Sequence, residues 1–165
     1  MENNQSTYFG KSKPTLASAV PFRFLLSHFA RGTTLDGASG KPEQKKIDAM
    51  KATNEALDAG ISATKPGNTA DDVAQAFWKV LDKYGIEKTS RTGYSIGIGY
   101  PPDWGEHTLN ISKGDMTVLQ PNVTFHMIAV MQFGNWGVEA SEAIRVTDKG
   151  SELFCNFSKE LHIKS

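Results

Sequence analysis

The stretch Ala59-Gly-Ile-Ser-Ala-Thr-Lys-Pro-Gly-Asn-Thr-Ala-Asp-Asp-Val73 ends one helix and begins another. Lys65-Pro-Gly interrupts the helical pattern, because proline lacks the amide hydrogen a helix interior needs and glycine tolerates left-handed backbone. Thr69 stands three residues before Asp72, the spacing at which a hydroxyl accepts an amide of a helix's first turn. Upstream of this joint, Ile47, Met50, Leu57 and Ile61 fall on one face, behind a proline, Pro42, of the kind tolerated in a first turn. A helix from Pro42 to about Ala63 is predicted, with Asn54 interrupting its apolar stripe. Downstream, Val73, Phe77, Val80, Leu81 and Tyr84 make a second apolar face, and Gly85 supplies a left-handed stop.

After Lys88 the texture becomes β. Segments 94–98, 107–111, 123–131, 136–140, 143–147 and 153–157 are short, apolar and bounded by Gly, Pro, Asn and Asp. Helices first and a mostly antiparallel, curled sheet afterwards make an α+β chain with its helices on one face of the sheet. Residues 1–20 read as a poorly ordered segment, 21–158 as the domain and 159–165 as a tail. Within the domain, Val20-Pro-Phe-Arg-Phe-Leu-Leu reads as a strand after its proline, and residues 31–40 as a loop rich in turn-forming residues.

Composition narrows the function. The 165 residues carry 18 Lys plus Arg against 18 Asp plus Glu, so the basic stripe of a nucleic-acid binder is not expected. No stretch approaches the roughly 20 apolar residues that span a bilayer, and the first residues lack the pattern of a signal peptide. A cytoplasmic protein binding neither membrane nor nucleic acid is the expectation, and the Asn-x-Ser/Thr matches at Asn4, Asn110, Asn122 and Asn156 then read as chance. One cysteine, Cys155, excludes an intramolecular disulfide and reads as a buried hydrophobe rather than a nucleophile.

Nucleotide and metal motifs fail on their surroundings. Gly97-Ile-Gly99 begins like a phosphate loop, yet Tyr100-Pro-Pro follows, and two prolines cannot open the helix that would hold a pyrophosphate. His28, His107, His126 and His162 are scattered, with no paired spacing that grips zinc from a helix. Ser95 has only half of a nucleophile elbow around it.

Five blocks stand out together: Thr92-Gly-Tyr-Ser-Ile-Gly-Ile-Gly-Tyr-Pro-Pro-Asp-Trp-Gly-Glu-His107, Lys113-Gly-Asp115, Leu119-Gln-Pro-Asn-Val-Thr-Phe-His126, Trp136-Gly-Val-Glu-Ala-Ser-Glu142 and Val146-Thr-Asp-Lys-Gly150. In order and spacing they resemble the pita-bread superfamily of creatinase, aminopeptidase P and methionine aminopeptidase. Tyr100 to Glu106 is most similar to the Xaa-Pro-peptidase-like branch that includes ectoine hydrolase, and the Lys65-Pro-Gly joint is similar to that family's own. The resemblance runs over roughly residues 25 to 158 and implies a pita-bread fold whose second helix-plus-strand unit is largely complete and whose first is degenerate or missing.

The family's metal ligands do not carry over. Tyr94 stands where the resemblance implies a ligand histidine, Ile128 where it implies a glutamate, and Ser141 where it implies the final glutamate. Neither of the paired aspartates is present near Ser27-His-Phe-Ala-Arg-Gly-Thr33. An apolar side chain cannot ligate a hard divalent ion, so no metal and no other cofactor is expected. Creatinase and ectoine hydrolase resemble the metallopeptidases while using side-chain acids and bases. Their example implies a site of His126, Glu139, Tyr94 and Glu142: the imidazole to move a proton, a carboxylate to activate water and the phenol to hold the oxyanion.

Asp103, Trp104 and Glu106 would line the pocket of a small polar or cationic ligand. The bland alternative has His126 as a hydrogen-bonded core residue, Glu139 on the surface and Trp104 as a loop anchor. Two functions follow: a metal-independent hydrolase of C–N bonds in a small or dipeptide-like substrate, of ectoine or Xaa-Pro type, or an inactive remnant that binds a partner. A truncated sheet edge predicts a homo-oligomer.

Overall fold

The computed structural model describes residues 37–39, 41–99, 105–155 and 157–164. The segment 1–20, the strand expected at 20–26, the degenerate aspartate region 27–33, Asp103 and Trp104 lie outside the described residues.

Helix α1 (Gln44–Ala63) starts just beyond Pro42 and ends where Thr64 turns its amide onto the Ile61 carbonyl at 3.1 Å. Helix α2 (Ala70–Lys83) is capped as its sequence predicts. Thr69 Oγ1 accepts the Asp72 amide at 3.1 Å while the Asp72 carboxylate accepts the Thr69 amide at 2.8 Å. Two otherwise orphaned donors are satisfied by this box. At the far end Gly85 takes φ +64°, which lets the Ile86 amide return to the Leu81 carbonyl at 3.1 Å.

A five-stranded antiparallel sheet follows, in the order β3-β2-β4-β5-β6, from β2 (Gly93–Ser95), β3 (Asn110–Ile111), β4 (Thr124–Phe133), β5 (Trp136–Thr147) and β6 (Gly150–Leu153). Its spine is the β4–β5 hairpin, closed by Phe133 opposite Trp136 with Gly134 at φ +64° in the two-residue turn. Pairing runs unbroken from there to Thr124 opposite Arg145. Partners in such a ladder share a face, and alternate residues change face. One face therefore carries Phe125, Met127, Ala129 and Met131 with Val138, Ala140, Ile144 and Val146, all buried. These pack with Met50, Leu57, Val73, Phe77 and Leu81 of the helices in one core. Burying a side chain of Leu or Phe size stabilises by about 1.5–3 kcal/mol, so this layer dominates the fold. Gly60 lets α1 come close: a Cβ there would lie 2.8 Å from Met127 Sδ.

Local expectations and structure differ in four places. Segments 136–140 and 143–147 are one strand, with Ser141 and Glu142 between them both buried within the ladder. The last strand of this sheet is Gly150–Leu153 rather than 153–157, because pairing of Thr147 with Gly150 fixes a tight turn at Asp148-Lys149. The loop expected at 31–40 contains β1 (Gly37–Ser39), which pairs in parallel with β7 (His162–Lys164) in the expected tail. That pairing is long-range, and strand formation set by a distant partner leaves little local trace. Ile47 and Tyr84, placed on the apolar faces, are 36% and 40% exposed. Asn54 does interrupt the α1 stripe, and its side-chain amide donates to the Lys159 carbonyl at 2.6 Å. Cys155 is buried, as a hydrophobe would be. Among the described residues no helix is long and apolar enough to cross a membrane.

Candidate functional site

The sheet face turned away from the helices carries the residues that matter chemically. Backbone pairing sets Asn110 opposite Tyr94 and Tyr94 opposite His126, while His126 faces Ala143 across the hairpin. One row thus crosses four strands. Within it Tyr94 Oη lies 3.2 Å from His126 Nδ1, with the rings edge to face at 5.7 Å. His126 is 2% exposed and Tyr94 half-buried, so this hydrogen bond is shielded from water. A buried imidazole bonded through one nitrogen has its tautomer set by that partner.

The close approach of β2 depends on Gly93. A Cβ at that position would lie 2.8 Å from the His126 carbonyl oxygen and 3.0 Å from Ile111 Cγ1. Beside the pair, the Arg91 guanidinium lies 4.9 Å from the centre of the Tyr94 ring and donates through Nη1 to Asn110 Oδ1 at 2.6 Å.

Glu139 is not part of this row. It pairs with Val130, four positions along β4 from His126, a separation of about 13 Å at strand rise. Its charge acts instead on Lys88, whose ammonium donates to Ser90 Oγ at 2.7 Å and to the Val130 carbonyl at 3.4 Å. Partial burial pushes the Lys88 pKa down, and the nearby Glu139 carboxylate opposes that shift. Glu142 is a second correction. It pairs with Met127 and is 1% exposed on the face packed against the helices, so the sheet itself separates it from His126. Placing Glu142 beside Glu139 by chain proximity overlooked the alternation of a strand, which puts neighbours on opposite faces.

Glu106 is half-buried and one of its carboxylate oxygens accepts the Gly99 amide, so it fastens the Gly97–Gly99 loop. Asp103 and Trp104 lie outside the described residues. Arg91, Asn110 and Lys88 were not legible as site residues, since only the register reveals their neighbours. The sole local sign of Asn110 was its place in a β segment.

The positions matched to metal ligands come together, with Ile128 paired to Ser141 and flanked on its own face by His126. Their donors are a phenol, a hydroxyl and no atom at all, and one imidazole does not complete a site. Among the described residues no group of three His, Cys, Asp or Glu side chains can hold a metal ion. At these three described positions the side chains are thus a phenol, an alkyl group and a hydroxyl, where the resemblance implies a histidine and two carboxylates.

The model of metallopeptidase family M24 matches residues 29–148. The chain is 39% identical over 126 residues to ectoine hydrolase of Halomonas elongata, covering 76% of this chain and 32% of that protein. It is 27% identical over 164 residues to Xaa-Pro dipeptidase of Lactobacillus helveticus, covering 91% and 42%. Among solved structures, dipeptidase PepE from Mycobacterium ulcerans superposes with a TM-score of 0.73 at 27% identity, over 79% of this chain and 35% of that one. Methionine aminopeptidase from Rickettsia prowazekii, at 19% identity and a TM-score of 0.63, shows the shared fold alone, over 74% and 57%. The chain spans about a third of the length of the ectoine hydrolase.

Proposed function

The chain belongs to metallopeptidase family M24, and from that premise we propose that it hydrolyses a C–N bond of a small amide, of ectoine or Xaa-Pro type, by proton transfer at the Tyr94–His126 pair rather than through a metal. The observation that carries this reading is the 3.2 Å contact between Tyr94 Oη and His126 Nδ1. With Nδ1 protonated and donating to the phenol oxygen, His126 Nε2 is the base that takes a proton from attacking water. Water oxygen then bonds to the carbonyl carbon, the C–N bond breaks, and the same proton passes to the leaving nitrogen. In this scheme Tyr94 orients the imidazole, which replaces the oxyanion role its sequence position implied.

The test is hydrolysis of cyclic and linear N-acyl amino acids and of Xaa-Pro dipeptides by the purified chain, with chelator and with added divalent ions. Turnover that survives chelator and falls by about 100-fold or more in His126→Asn supports the reading. Turnover that requires added metal overturns it.

A second reading has its own support. Glu139 stands four strand positions from His126, and Glu142 lies on the opposite face of the sheet. An inactive M24 domain that retains ligand binding is the function that follows if wild-type turnover is absent. Self-association through the terminal strands β3 and β6 belongs with either reading, and sedimentation at micromolar concentration checks it; a monomer there removes it.

A further inference from the structure

We infer that the cavity between the tip of the β4–β5 hairpin and the first turns of α1 binds a small organic cation, an ammonium whose carbon groups pack on its aromatic walls. Three chain ends meet there. The turn at Gly134 sets Phe133 opposite Trp136, with their rings stacked at 4.5 Å and 21°. The left-handed turn at Gly85 follows α2, and Tyr84 and Ile86 on either side of it line the same space. Ala49, Asp48 and Lys45 close it from α1, leaving about 280 Å³. That volume is near the lower limit of ligand cavities, which suits a small molecule rather than a peptide. Phe133 lies seven positions along β4 from His126, about 23 Å at strand rise. The cavity is therefore separate from the Tyr94–His126 pair, and the inference stands whether or not the chain hydrolyses amides.

The lining decides the charge. Ala49 is buried and Ile86 partly buried, so the interior is apolar. Aromatic faces carry partial negative charge, and Tyr84 Oη already donates to Glu55 Oε2 at 2.6 Å, which leaves it only lone pairs to offer. Asp48 accepts Gln44 Nε2 at 2.9 Å and makes no ion pair among the described residues. The same field raises the Tyr84 pKa, through the hydrogen bond to Glu55 first, then desolvation and the charges of Glu55 and Asp48.

Lys45 is the lining group of opposite sign, and Glu43 pairs with its ammonium at 2.8 Å. That ammonium also stands 5.8 Å from the centre of the Trp136 ring, so the chain's own cation already marks the face that draws positive charge. The distance is near the outer limit of such contacts, about 6 Å, and an ammonium seated between the rings and Asp48 makes a closer one. Aromatic walls recognise methylated ammonium groups through the ring quadrupole, and a carboxylate beside them adds an attraction that solvent exposure keeps small. A neutral molecule of the same shape gains apolar contact alone, and an acid meets Asp48 as a like charge.

The experiment titrates three probes of one shape into the full chain: choline, its uncharged carbon isostere 3,3-dimethyl-1-butanol, and the acid 3,3-dimethylbutanoate. The NMR shift of the Trp136 indole N–H follows binding. Wild type is expected to bind choline about 5- to 20-fold more tightly than the alcohol. Asp48→Asn weakens choline about two- to fivefold and leaves the alcohol unchanged. Lys45→Met removes the competing ammonium and tightens choline about twofold, the reverse of its effect on a site for anions. Both side chains are exposed, so neither substitution disturbs the core. Equal affinity for choline and the alcohol, preference for the acid, or choline binding indifferent to Asp48→Asn overturns the proposal. So does a Trp136 signal that none of the three probes moves, or weaker choline binding in Lys45→Met.

Discussion

Tyr94 Oη and His126 Nδ1 meet at 3.2 Å because their backbones are directly opposed across β2 and β4, so the contact is set by strand register. Removing the phenol oxygen in Tyr94→Phe keeps the ring in its edge-to-face packing while freeing the imidazole. That variant is expected to lose about 10- to 100-fold in kcat, with a change in stability near 1 kcal/mol, the net worth of one hydrogen bond. Steady-state kinetics beside urea unfolding separates the two effects. A loss of stability well beyond that with unchanged kcat would make the pair structural.

Glu139→Gln tests where the carboxylate acts. From about 13 Å along the ladder it cannot reach a substrate at His126, and kcat is expected to stay within about threefold. Lys88 should respond instead. Burial lowers its pKa and Glu139 raises it, so neutralising Glu139 leaves burial unopposed and the pKa falls further. In the folded state Lys88 gives up its proton at a lower pH than in the unfolded chain. Its desolvation penalty therefore holds below the folded pKa and is relieved as pH rises toward the unfolded value. Glu139→Gln extends that window downward, which NMR titration of the lysine ammonium checks. A rise in the Lys88 pKa would contradict this assignment.

Gly93→Ala joins fold to site. The added methyl would sit 2.8 Å from the His126 carbonyl oxygen, which belongs to the central strand and cannot step aside, and 3.0 Å from Ile111. A cost of about 1–3 kcal/mol is expected, with loss of activity from the parting of β2 and β4. Gly97→Ala is the control, because there the added methyl meets only Glu106 side-chain atoms, which can shift at the cost of their hydrogen bond to the Gly99 amide. Equal stability of the two variants in urea would refute the close-approach argument.

Much of this arrangement is readable in the chain. Both helices announce their ends through Lys65-Pro-Gly, the Thr69 and Asp72 spacing and Gly85, because breakers and caps act within a turn of where they stand. Tyr94 and His126 were grouped from the resemblance alone, and the pairing of β2 with β4 sets them opposite each other. Glu139 and Glu142 were misplaced for a different reason. Where a residue lies along a ladder depends on the hairpin that closes it, and Gly134-Asn135 was the signal: a two-residue turn there puts Val130 opposite Glu139 and Met127 opposite Glu142. Arg91 and Lys88 act through residues on other strands, and no local pattern marks such partners.

The Thr69 and Asp72 box makes the last prediction, on acid stability. Two hydrogen bonds from Thr69, one from its amide and one from its hydroxyl, hold the Asp72 carboxyl below its usual pKa. A group whose folded pKa is depressed contributes stability above its unfolded pKa, and that contribution is lost as pH falls through the folded value. Thr69→Ala removes the cap and is expected to cost about 1 kcal/mol near neutral pH. Asp72→Asn removes the titrating group, so its stability should fall less steeply than wild type's between the unfolded and folded pKa of Asp72. Chemical denaturation from pH 6 downward reads both. Wild-type and Asp72→Asn curves that run parallel through that window would show that the box is not what couples α2 to acid.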